Sequence, residues 1–337
     1  MTVRRVLAVL LGIVVVLVGG LAVWDGSPDL DPRRELLPGI ALDLRTAETV
    51  RGPIEYDLSG TGGPVVLSVH AGLGGADQGR LFASRLTGFR ILSPSRPGYL
   101  GTPLGSGRRT VEEQADLLVA LLDALGIERA GVFAASAGSP VAYMLAARHP
   151  DRVWGLVSVG GVSLADPDAS PSSRGRTLFL NLFGQKLAKL TATVSLETIV
   201  RGTLDETSTF TEEQKAQRVA YILGTPGVRD FFAASFATTF PYEKRLPGTA
   251  NDARQRRTLS IPFERIRAPA LIVHGTRDGD VPFADGRHAA GAIRGARHLW
   301  LTDDDHLGFW LGPGAGAAQR TASDFLHAAA AEQARGS

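Results

Sequence analysis

The sequence predicts an α/β fold, with a mostly parallel sheet, helices on both faces and a mainly helical cap insertion. Three observations carry that prediction. From about residue 40, short apolar runs alternate with helix-period patterns, as strands and their covering helices do. The alternation breaks over residues 162–262, a stretch rich in Ser, Thr, Phe and Leu, and then resumes. Residues with reactive side chains stand just beyond several of the apolar runs, where ligands bind in an open α/β sheet. At 337 residues the chain is long enough for one such domain with an insertion.

The elements follow in chain order. Arg4 and Arg5 precede residues 6–24, which carry no charge and as a helix would span roughly 28 Å, about one bilayer core. Asp25, Asp29 and Asp31 follow, so the short N-terminus is expected inside and the body outside the cytoplasmic membrane. Residues 1–24 therefore read as a membrane anchor, or as a signal segment removed near Gly20-Leu21-Ala22, which would leave a secreted body. Residues 25–38 are polar and proline-rich, as a linker would be. The core is expected over 39–161 and 263–332, with 162–262 as the cap.

Within the core, IALDLRT and TVRGPIEYDLSG read as early antiparallel strands. PVVLSVH (64–70), FRILSPS (89–95), AGVFAAS (130–136), RVWGLVSVGG (152–161), APALIVHG (268–275) and ARHLWLT (296–302) read as central ones. One helix starts at the Thr110/Glu113 capping box, shows an apolar stripe of Leu117, Leu118, Leu121, Leu122 and Leu125, and stops at Gly126. A second runs from about Gly138 to His149, with Pro140 tolerated in its first turn and Pro150 at its end. In the insertion, SLETIVRGTL and TEEQKAQRVAYILG have helical patterns.

Composition excludes several classes. Charged residues are 21% of the chain and apolar ones 44%, ordinary for a folded protein. The net charge of +2 comes from interspersed signs and no basic stripe, which argues against a nucleic-acid partner. The absence of cysteine rules out disulfides, thiolate metal sites, a cysteine nucleophile and a lipid-attachment cysteine.

Ser136 lies in GVFAASAGSP, between a strand and a helix, among residues nearly without side chains. A sharp strand-to-helix turn of that kind leaves no room for bulk and can lift a hydroxyl toward a substrate. Asp278 follows a strand in IVHGTRDGDVP, and His306 follows the last strand in LTDDDHLGFW. Singly these read as close packing, a turn and a surface histidine. Together they supply nucleophile, acid and base in the order Ser, Asp, His, each past a strand end.

Those residues resemble a known family, the α/β-hydrolase fold superfamily of serine hydrolases, in its branch of esterases, lipases and proline-iminopeptidase-like enzymes. VFAASAGS is similar to its nucleophile motif, HAGLGG (70–75) to its oxyanion loop, SRPGYLGT (95–102) to its Asp-Arg-Pro-Gly-Tyr-Gly segment, and HGTRDGDVP and DDDHLGFW to its acid and histidine loops. Ala134, Ala71, Leu73 and Ser95 depart from the usual residues, without removing a reactive group.

The resemblance implies that Ser136 attacks a carbonyl, that His306 takes and returns the proton, and that Asp278 orients His306. Backbone N–H groups of Gly72 and Ala137 would form the oxyanion hole. No metal or organic cofactor is required, and the substrate is a small acyl compound, an ester ahead of an amide or peptide. The alternatives are a cofactor-free perhydrolase or haloperoxidase using the same triad, and a catalytically silent, membrane-tethered binding protein. His70 and His274 are expected in packing or hydrogen-bonding roles, His149 at a helix end and Arg96 between loops. Asp303, Asp304 and Asp305 should form a solvated turn, or one of them should help to hold His306, and Phe231, Phe232, Phe236 and Phe240 should form the cap core, with one or two lining an apolar acyl pocket.

Overall fold

A computed structural model describes residues 33–170 and 195–336. The apolar stretch 6–24 lies outside them, as does part of the insertion, 171–194. Among the described residues no helix is long and apolar enough to cross a membrane.

The chain opens with a hairpin of β1 (Arg33–Leu37) and β2 (Ile40–Asp43), which forms a separate two-stranded sheet. The linker reading therefore ends early. Leu36, Leu37 and Ile40 pack against the body, and Arg34 pairs with buried Asp77, so residues 33–38 are anchored by apolar contact and charge. Next come β3 (Arg45–Ala47), β4 (Ile54–Ser59), β5 (Val65–Val69), helix α1 (Ala76–Ala83), β6 (Arg90–Pro94), α2 (Val111–Ala124), β7 (Ala130–Ala135), α3 (Ser139–Arg148) and β8 (Val153–Val159). The insertion supplies α4 (Leu196–Thr207), α5 (Glu212–Gly224), α6 (Pro226–Ala237) and α7 (Leu246–Arg256). The core then resumes with β9 (Ala270–Gly275), α8 (Phe283–Ala292), β10 (Arg297–Leu301), α9 (Gly308–Leu311) and α10 (Ala315–Gly336).

Eight strands form the main sheet in the order β10-β9-β8-β7-β5-β6-β4-β3. From β10 to β6 every pairing is parallel, while β4 and β3 extend the edge antiparallel. Its central strands are apolar on both faces, as a doubly covered sheet requires. Leu67, Val132, Leu156 and Ile272 meet α2, α3 and α8 on one side. Val66, Phe133, Val157 and Leu271 meet α1 and α10 on the other. That second core runs on into the cap through Val200, Leu204, Val219, Ile222, Phe231 and Phe232, so burial continues across the cap–body boundary.

The local signals worked as read. Both halves of the Thr110/Glu113 capping box form, Gly126 adopts φ +64°, and Pro140 sits in the first turn of α3.

Candidate active site

All three reactive side chains leave the same edge of the sheet, Ser136 after β7, Asp278 after β9 and His306 after β10. Ser136 has φ +50°, a left-handed conformation that costs a non-glycine residue of order 1–3 kcal/mol and recurs at functional sites. Gly138 makes the turn possible. A Cβ there would come within 2.4 Å of the His70 carbonyl oxygen and 2.6 Å of that of Val69.

His306 Nδ1–H donates to Asp278 Oδ2 at 2.7 Å, leaving Nε2 as the basic nitrogen. Asp278 Oδ1 accepts from the backbone N–H groups of Asp280 and Val281, at 3.0 and 2.8 Å. Burial would raise the Asp278 carboxyl, but the attraction of His306 and hydrogen bonds from His274 and His306 outweigh it and hold it down at about 2. For His306, burial pushes the imidazole down. The charge and hydrogen bond of Asp278, with Asp280 and Asp305 beyond, prevail and bring it up to about 9.

The cap helps to set this arrangement. The Thr207 carbonyl, at the end of α4, accepts from both Gly279 N–H (3.0 Å) and His306 N–H (3.1 Å), tying the acid loop to the histidine loop. The acidic turn is not solvated as the sequence suggested. Asp304 and Asp305 are buried and face Arg218 of α5, and only Asp303 stays exposed, near Arg277. Burial raises the Asp305 carboxyl to about 6 despite Arg218. That partner lies 87 residues away in sequence, too far for any local pattern to reveal it.

Gly72 and Ala137 face each other, with a Cβ built on Gly72 lying 3.8 Å from that of Ala137. The flanking N–H groups of the first loop are committed, Ala71 to Gln78 Oε1 and Leu73 to Thr249 Oγ1 of the cap. His70 supports the same loop. Its Nε2 accepts from Arg96 N–H at 2.9 Å, so Nδ1–H donates to the Ala71 carbonyl. Burial first and Arg96 second hold its pKa well below the ordinary histidine value, so it stays neutral.

Ser136, His306, Gly72 and Ala137 open onto one cavity of about 940 Å³. Its walls are largely apolar, with Val141, Val159, Ile199, Phe232, Phe236 and Trp310 among them, and the carboxylate of Asp280 lies 3.7 Å from His306 Nε2. Of the four cap phenylalanines singled out in the sequence, Phe232 and Phe236 reach the cavity, while Phe231 and Phe240 are buried away from it. The sequence reading missed His274 as a contact of Asp278, although its place four residues earlier was the available signal. Among the described residues no group of His, Asp and Glu could hold a metal ion.

Comparison with known proteins agrees with the fold. A family model described as alpha/beta hydrolase fold matches residues 64–313. An alpha/beta hydrolase fold protein from Nakamurella multipartita superposes with a TM-score of 0.79 and is 37% identical, covering 86% of this chain and all of its own. An uncharacterized hydrolase of Bacillus subtilis is 27% identical over 278 residues, 80% of this chain and 94% of the relative. The 2-hydroxy-6-oxononadienedioate/2-hydroxy-6-oxononatrienedioate hydrolase 2 of Pseudomonas putida is 26% identical over 265 residues, 76% of this chain and 85% of the relative.

Proposed function

The chain belongs to the α/β-hydrolase fold family, and from that premise we propose that it is a serine hydrolase cleaving an uncharged carboxylic ester through an acyl-enzyme. The observation that carries the reading is the 2.7 Å His306–Asp278 hydrogen bond beside a cavity that Ser136 lines from a left-handed turn.

The steps follow from these groups. Ser136 Oγ bonds to the carbonyl carbon as its proton passes to His306 Nε2, and Asp278 stabilises the imidazolium. The carbonyl oxygen, now an anion, takes hydrogen bonds from the Gly72 and Ala137 N–H groups. The C–O bond of the ester then breaks, and the alcohol leaves with the proton from His306. Water, deprotonated by His306, attacks the acyl carbon and frees the acid and Ser136.

The walls support an apolar acyl group. The described lining carries six carboxylates, Asp166, Asp168, Asp205, Glu206, Asp252 and Asp280, and one arginine, Arg256, and although Asp252 pairs with Arg96 and Asp205 with Lys215, a substrate bearing carboxylates meets mostly like charge. Amides and peptides rank behind esters. We further propose that residues 6–24 hold the body at the outer side of the cytoplasmic membrane. Fractionation of cells making the full chain tests this, and recovery in the cytosol would refute it.

Intact mass after exposure of the full chain to a fluorophosphonate, beside Ser136→Ala, tests the chemistry. A single adduct that the substitution abolishes is expected. An adduct retained in Ser136→Ala, or no adduct on folded protein, would overturn the reading.

A further inference from the structure

Asp278 faces a second imidazole. His274, at the end of β9, places Nε2 at 3.2 Å from Asp278 Oδ2 and 3.0 Å from the Val281 carbonyl oxygen. Neither oxygen can donate, so Nε2 must carry a proton. The other ring nitrogen, Nδ1, is buried without a hydrogen-bond partner, packed where Gly286 of α8 leaves just enough room, 2.7 Å from a Cβ built there. A proton on Nδ1 would be stranded there, so the surroundings favour the tautomer with its proton on Nε2.

The consequence lies in the count of donors on Asp278. Oδ1 is held by two backbone N–H groups, and Oδ2 accepts from His306 Nδ1–H and lies 3.2 Å from His274 Nε2, whose single N–H it shares with the Val281 carbonyl. Without His274, Oδ2 would keep only the one bond to the ring it is meant to orient. The two backbone N–H groups would still hold Oδ1, but Oδ2 could then pivot about it with the ring.

We propose that His274 is a positioning residue for the triad: as a neutral Nε2–H donor it fixes Asp278 Oδ2 against His306. This rests on the triad reading above. His274 does not line the cavity, so it reaches the site only through its contacts with Asp278 and the Val281 carbonyl. The charged groups around the pair are Asp280 and Asp305 next to His306, with Arg218 and Asp304 behind Asp305.

The test follows the rate of fluorophosphonate modification against pH in the full chain, in His274→Met, His274→Gln and Ser136→Ala. Met fills the space without a donor, while the Gln amide restores one. His274→Met should slow modification roughly tenfold or more. The reagent concentration giving half-saturation should not change. The pH midpoint should rise, because an Asp278 with one donor fewer holds the His306 proton more tightly. His274→Gln should recover most of the rate.

Equal rates and midpoints in His274→Met and the parent would make His274 a packing residue and overturn the proposal. Labelling that survives Ser136→Ala would instead overturn the triad. If His274→Met does not fold, nitrogen NMR of the labelled imidazoles in the parent decides. A neutral His274 with its proton on Nε2 across the rising limb supports the proposal, and a proton on Nδ1 refutes it.

Discussion

The guanidinium of Arg96 meets the carboxylate of Asp252 end-on, with Nη1–Oδ1 and Nη2–Oδ2 both 2.7 Å. Arg96 belongs to the loop after β6 and Asp252 to α7, so this fork joins body to cap, and Tyr99 adds a hydroxyl at 2.6 Å from the same carboxylate. Arg245 of the cap reaches Asp77 of α1 in the same way, and Arg218 reaches the turn before His306. Each pair spans the cap–body boundary, and the cavity is lined from both sides of it.

Removing the carboxylate alone should be costly, because Arg96 is 1% exposed and would be left charged in the interior. Asp252→Ala is expected to lower stability by about 3–5 kcal/mol. Urea unfolding with an unchanged m-value measures it. A loss below about 1 kcal/mol would mean that water reaches the guanidinium and that the fork does not hold the cap.

On the proposed mechanism, Asp278 and Asp280 should differ sharply although they are two residues apart. Asp278→Ala removes the acceptor that orients His306, and kcat should fall about 10⁴-fold, as when a triad acid is lost. Asp280 sits 3.7 Å from Nε2, on the substrate side, and its loss should cost far less. Steady-state kinetics on a neutral ester decide, and a larger loss from Asp280→Ala would reassign the acid.

The pH dependence follows from the raised His306. Only the neutral imidazole accepts the serine proton, so activity should climb as pH rises toward about 9, later than an unperturbed histidine would allow. Asp280→Asn removes one of the charges that favour the imidazolium, and should move the rising limb to lower pH. Stability has the opposite sign: the His306 contribution is full below 6.5 and fades through about 9, while that of Asp278 is present above 3.8 and fades toward about 2. A pH–rate profile unmoved by Asp280→Asn would show that solvent screens this pair.

How much of this was legible in the sequence depends on distance along the chain. The strand–turn–helix around Ser136, the capping box at Thr110 and the loops after β9 and β10 are written in adjacent residues, so periodicity and small side chains disclosed them. Asp304 and Asp305 were read as solvated because nothing nearby in sequence neutralises them, and their partner Arg218 arrives from the cap only on folding. The linker reading failed at Arg34 for the same reason, since Asp77 is 43 residues on. A polar stretch looks like a tether until its ion-pair partner is known.

Gly160 separates space from backbone strain in the site. It follows β8 at φ +56°, and a Cβ there would lie 3.1 Å from both Cε1 and Nδ1 of His306 and 3.5 Å from Asp278 Oδ2. Gly160→Ala should lose about 1–2 kcal/mol from the left-handed conformation. It should also lower kcat, by pushing the imidazole a few tenths of an ångström out of its place against Asp278, and leave KM nearly unchanged. Gly126→Ala is the matched control. Its φ is +64°, but no atom lies within 4 Å of the added methyl, so it carries the backbone cost alone. Thermal unfolding should therefore show at least as large a loss in Gly160→Ala as in Gly126→Ala, and ester kinetics a fall in kcat in Gly160→Ala alone. Equal kcat values would mean that the His306 ring yields without loss of alignment, and that the space left by Gly160 serves folding and not catalysis.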